Sequence, residues 1–142
     1  MTPDSMALFA AIVMLLPLGY LFLASPAFLF VRLSIPVVTR LLRIMFNGYF
    51  LVVVVVGALA AAVHASTAHL ASALGLALIA SFAFFARRWF LRQLDDAISA
   101  RDAGDAAAVR TMRRLHVGGM AVNAVQLFAV IGGVRELLQS LI

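Results

Sequence analysis

Four polar side chains toward the C-terminal end of this 142-residue chain have the types and spacing to do chemistry. Arg113, His116 and Asn123 recur at i, i+3 and i+10, so on a helix they share a face, and Gln126 follows nearly one turn further on. An imidazole exchanges protons near neutral pH, two amides hydrogen-bond a polar head, and a guanidinium holds negative charge. Arg43 and Asn47, on an earlier segment, should lie at comparable depth. Together the six predict a polar pocket for a small amphiphile or quinone-like molecule. The competing reading makes Asn123 and Gln126 interhelical hydrogen-bonding groups and has His116 flank a span; it is the favoured one.

His64 and His69 form a second set. Two histidines across a short turn can hold copper or zinc, but five residues apart they do not share a helix face, and no acidic residue or cysteine lies nearby in sequence. No metal is therefore expected, and no cofactor is named by the pattern. Cysteine is absent, which removes disulfides and thiolate chemistry. Nothing in the chain matches a phosphate-binding loop, a dinucleotide-binding glycine motif, a zinc-protease helix or a nucleophile elbow. Tyr20, Tyr49 and Trp89 require only interfacial or packing roles.

The elements that must position these groups follow from composition. Residues are 65% hydrophobic and 12% charged, against roughly 25% charged in soluble domains. So small a domain would expose much of that surface to water, and a lipid solvent removes the conflict. Four apolar segments of helical length are expected, at about 6–31, 48–63, 70–86 and 115–134. Pro17 and Pro26 should kink the first rather than break it. Ser34 is the expected N-cap of a helix that carries Thr39, Arg40, Arg43 and Asn47 on one face. The valine run from Val52 to Val56 would favour a strand in water, but an open strand in lipid leaves its edge unpaired, so helix is expected. Residues 64–69 should form a tight turn, and Ala71 with Gly75 a small-residue face. The start of the chain carries no positive charge, unlike a secretory leader, so the first segment is expected to be retained.

Residues 87–114 are the polar section. Phe90, Leu91, Leu94 and Ile98 make an apolar stripe, Arg92 and Asp96 an i,i+4 pair, Gly104 a turn, and Asp105 a helix cap. All eleven basic residues are arginine. Three lie between the first two spans, seven between the last two, and only Arg135 lies at the other end. The positive-inside rule then places both arginine-bearing connections in the cytoplasm and both termini outside. Arginine beside apolar runs needs no nucleic acid to explain it.

The segment Arg113-Arg114-Leu115-His116, followed by Asn123 and Gln126, resembles a motif in small four-span bacterial membrane proteins of unknown function. These have an Arg-x-Leu-His segment opening the last span and an Asn one or two turns later. The layout is similar to the transmembrane-protein-205-like family and, more distantly, to anthrone-oxygenase-like membrane proteins. The motif covers residues 113–128, and layout alone covers the rest. The resemblance implies that His116 and Asn123 act as a pair, and the anthrone-oxygenase likeness implies metal-free oxidation of a hydrophobic aromatic.

The expected architecture is all-α: one integral membrane domain over 1–142, a four-transmembrane-helix bundle with an extended cytoplasmic helical hairpin between spans 3 and 4. The expected location is a bacterial inner membrane. The expected role is an accessory subunit or assembly component whose partners are the bilayer and other membrane subunits or copies of itself. The balance of residues points away from an enzyme. The alternatives are a membrane oxidoreductase or lipophile-binding protein using the His116–Asn123 pocket, and an oligomeric small transporter or channel.

Overall fold

Thr2-Pro3-Asp4-Ser5 begins a helix for simple reasons. The Thr2 hydroxyl accepts from the Ser5 N–H at 3.2 Å, Pro3 has no N–H to leave unpaired, and Asp4 sits at the positive end of the helix dipole. The computed structural model describes residues 2–140; residues 1, 141 and 142 of the expected 1–142 unit lie outside the described residues. Four helices form: α1 (Pro3–Ala24), α2 (Pro36–Ser66), α3 (Leu70–Asp102) and α4 (Ala108–Ser140). A short 3-10 helix, Ser25–Leu29, continues α1. No strand occurs among the described residues. Each of the four helices is long and apolar enough to cross a membrane.

The two prolines expected to kink the first span behave differently. The helix runs unbroken through Pro17, whereas at Pro26 the α-helix has already ended and the chain tightens into the 3-10 turn. Proline is tolerated there because the first turn of a helical segment has no use for its missing N–H. Ser34 is not the cap of α2. Ile35 is, with φ −83° and ψ 121°, because the residue before a proline is forced into extended backbone. Helix α2 then continues without interruption through the valine run. The link to α3 is only three residues long, with Ala68 at φ 63°. Gly104 turns at φ 93°, a conformation glycine adopts without strain. The Asp105 carboxylate then accepts from the Ala107 N–H at 2.7 Å, and α4 follows.

Each helix packs on the next, and α4 closes against α1; the α2–α3 interface is the most extensive and α3–α4 the thinnest. The centre is filled by Met14, Leu18, Leu21, Leu42, Phe46, Val53, Leu94 and Met112, all fully buried. The stripe expected on α3 faces this core. Two glycines allow helices to meet closely. A Cβ on Gly57 would stand 3.1 Å from the Ala80 Cβ, and one on Gly119 would stand 2.6 Å from the Phe46 ring. Ala71 and Gly75, expected to make close contact, instead lie on the outer surface, because the buried register of α3 runs through Ala73, Leu76, Ala80 and Ala83. Large apolar side chains such as Leu16, Leu23, Phe30, Phe85 and Val125 also point outward.

Gly119→Ala should destabilise the fold by about 1–3 kcal/mol, since the enclosed Phe46 ring has nowhere to go. Gly75→Ala, which meets nothing within 4 Å, should leave stability unchanged or raise it by up to about 1 kcal/mol through helix propensity. Thermal melts of the two variants in detergent decide both.

Candidate functional site

His116, Asn123 and Gln126 of α4 point inward and Arg113 is half-buried, and each has a partner on a neighbouring element. Where α1 ends, carbonyls lose their helical N–H donors. The Arg113 guanidinium takes three of them: Nη1 donates to the carbonyls of Phe28 at 3.0 Å and Leu29 at 2.8 Å, and Nη2 to Val31 at 3.2 Å. His116 Nε2 lies 2.7 Å from the Ser25 hydroxyl and 3.0 Å from the Ser25 carbonyl. Only a protonated Nε2 can donate to that carbonyl. This tautomer leaves Nδ1 a bare acceptor, which fits its lack of any partner in the buried interior. The imidazole is fully enclosed, edge-on to Phe28 and Phe46 with ring centroids 6.0 Å away in each case.

Two turns along α4, a second polar layer joins three helices. Asn123 Nδ2 donates to the Leu18 carbonyl of α1 at 3.1 Å and to the Tyr49 hydroxyl of α2 at 3.3 Å. The Tyr49 hydroxyl donates to Gln126 Oε1 at 2.7 Å. Asn123 Oδ1 is buried and unpartnered.

Arg43 and Asn47 belong to a separate group between α2 and α3. Arg43 forms a two-pronged pair with Asp95 through Nε and Nη2, the latter at 2.9 Å, and Arg87 Nε donates to Asn47 Oδ1 at 3.0 Å. The six residues of the expected pocket are therefore divided: the four of α4 meet α1, the segment after it and α2, while Arg43 and Asn47 meet α3. Asp95 lies in section 87–114, beyond the apolar segment of α3, and the Arg43 guanidinium holds its carboxyl below the usual range against the opposing effect of partial burial. The expected Arg92–Asp96 pair does not form among the described residues. Both side chains are exposed, where ordering two long chains gains little. Arg101 also anchors the α1–α2 connection, donating to the Thr39 hydroxyl at 2.7 Å and more weakly to the Leu33 carbonyl at 3.4 Å.

At the opposite end His64 and His69 stand with ring centroids 6.2 Å apart. His64 is buried, its Nδ1 donating to the Ala60 carbonyl at 2.9 Å, and His69 Nε2 meets the Asp4 carboxylate at 3.1 Å. Asp4, more than sixty residues away in sequence, is an acidic neighbour that local spacing misses. Among the described residues no three His, Cys, Asp or Glu gather as a metal site. Sequence reading also missed Ser25, Tyr49, Arg87 and Asp95. The available signal was the proline after Ser25, which marks a helix end in need of donors.

Comparison of the chain with protein-family models, with curated proteins and with solved structures finds no match in any of the three.

Two measurements check this arrangement. Tyr49→Phe and Asn123→Ala should each destabilise by about 0.6 kcal/mol, ~2 at most, and the double variant by less than the sum, because both remove the same hydrogen bond. Because the folded Asp95 carboxyl is depressed, its stabilisation is fully present above the ordinary carboxylate range and is lost as pH falls below that range through the lower folded value. Wild type should therefore exceed Asp95→Asn by about 0.2–1 kcal/mol at neutral pH, with the small size set by exposure, and the gap should close in acid unfolding curves.

Proposed function

We propose that this chain is an integral protein of a bacterial inner membrane and acts, without catalysing a reaction, as an accessory or assembly component of a membrane complex. All four helices would cross the bilayer, with the α3–α4 hairpin extending on the cytoplasmic side and both termini on the periplasmic side. The observation that carries the role is the engagement of His116, Asn123, Gln126 and Arg113: each joins α4 to another helix or to the end of α1. Side chains placed for turnover need access to a substrate, and His116 and Asn123 are enclosed in the core. Two further observations support a bilayer. The large apolar residues face outward, which is adverse in water and favourable in hydrocarbon. Arg32, Arg40 and Arg43, before and in the first turns of α2, and the seven arginines in section 87–114 all belong to one end of the bundle, where the positive-inside rule puts cytoplasmic flanks.

Reporter fusions should give a periplasmic signal at either terminus and a cytoplasmic one at Gly104. Gentle solubilisation should then yield a stoichiometric membrane-protein partner, and His116→Ala should weaken the fold without abolishing any turnover. A solitary chain that converts a lipophilic substrate, with that conversion lost in a still-folded His116→Ala, would overturn the role. A homo-oligomer that conducts ions in planar bilayers would make it a channel instead.

A further inference from the structure

The thin α3–α4 interface leaves an open groove of about 630 Å³ on the side of the bundle. Tyr49, Phe50 and Phe90 form its buried floor, and Phe82, Phe85 and Trp89 stand at its exposed rim. Apart from the Tyr49 hydroxyl, already engaged by Gln126 and Asn123, the polar side chains on its wall are Thr111 and Arg114. Both sit at the arginine-rich end. From Arg114 the wall descends α4 through Gly118 to Val122, about 12 Å at 1.5 Å per residue. The groove is thus cationic at one end and apolar for the rest of its length.

Arg114 pairs with no acidic side chain among the described residues. Its section holds seven arginines against four aspartates, and of those four Asp95 is taken by Arg43, Asp102 by Arg101 and Asp105 by a backbone N–H. An anion is the missing complement, and guanidinium pairs with phosphate through parallel hydrogen bonds. Gly118 keeps the groove open: a Cβ there meets nothing within 4 Å, while at the adjacent Gly119 it would strike Phe46. Helix packing accounts for Gly119; the space above Gly118 is groove.

The geometry points to a lipid site here: one acyl chain of an anionic phospholipid lies along the α3–α4 groove against the aromatic rings, with its phosphate on Arg114. The inference rests on the membrane placement proposed above. Bilayer lipid surrounds the protein at high concentration, the mouth lies at the end assigned to the headgroup level, and anionic lipids favour that arginine-rich side.

Trp89 is the only tryptophan in the chain and stands on the groove rim, so it reports occupancy directly. The full chain, delipidated in a mild non-ionic detergent, is titrated with phosphatidylglycerol brominated on its acyl chains, and Trp89 quenching is followed. Saturable quenching near one equivalent is expected, with brominated phosphatidylcholine roughly fivefold weaker, because its choline cation offsets the phosphate charge offered to the arginine-rich end. Gly118→Leu should remove the saturable phase by filling the groove, while Gly118→Ala, with unchanged helicity, controls for folding. Arg114→Gln should erase the preference between the two lipids but keep the contact. Quenching that rises without saturation and equally for both lipids, or that survives Gly118→Leu, overturns the site. Brominated stearate binding more tightly than phosphatidylglycerol would overturn the phospholipid and leave a carboxylate as the ligand. Failure of the chain to insert into phosphatidylcholine vesicles, read separately by flotation, would refute the membrane placement itself; flotation with unselective quenching refutes only the lipid site.

Discussion

Where a helix stops, its last carbonyls lose their partners, and in a core without water only protein can supply new donors. The end of α1 is such a place at Ser25, which is fully buried, and opens to the surface by Leu29. The α-helix gives out at Ala24 and the 3-10 turn at Leu29, leaving a cluster of carbonyls facing α4. His116 and Arg113 meet four of them, at Ser25, Phe28, Leu29 and Val31. This contact ties the end of the first helix to the start of the last, and the cluster of Ala7, Ala11 and Leu137 joins their opposite ends. The Asn123–Tyr49–Gln126 layer repeats the principle deeper in the bundle, adding α2 to the pair. Burial of an imidazole and two amides is costly unless they are bonded, so these residues also fix the register of α4 against its neighbours.

Much of the helix plan was legible because long apolar runs admit few alternatives. The valine run Val52–Val56 shows the reasoning at its clearest, since β propensity pointed one way and the need to pair backbone groups the other. The inward direction of Asn123 and Gln126 was readable from the cost of amides in lipid, whereas His116, favoured as flanking the span, is fully buried. The partners of all three were not legible. Ser25 and Tyr49 are ordinary in sequence, and they become hydrogen-bonding groups only when α1 and α2 bring them beside α4. The same limit explains Asp95, which found Arg43 on another helix rather than serving in a local pair, and Asp4, which reached His69 across the length of the chain. The Ser34 cap was lost to a more local effect, the constraint that Pro36 imposes on Ile35.

The two sides of α4 have different duties. Its inner face carries the polar groups that assemble the bundle, and Gly119 lets the aromatic cluster around Phe46 and Phe90 approach, with those ring centroids 4.4 Å apart. Its outer flank, beginning at Gly118, borders the seam with α3, where packing is thinnest. Small residues one position apart thus serve opposite ends: one admits a neighbouring helix, the other leaves room.

The connection between α2 and α3 also bears on how the polypeptide reaches its final place. It comprises Thr67, Ala68 and His69, with no formal positive charge apart from a titratable imidazole, and the left-handed Ala68 reverses the chain in the least length available. In the proposed orientation this is the one interhelical loop that must be carried through hydrocarbon during biogenesis. Neither helix can be threaded fully while the other waits, because three residues span too little. The second and third helices would therefore enter the bilayer as a preassembled pair, and their extensive mutual interface is what allows that pair to form before its neighbours arrive.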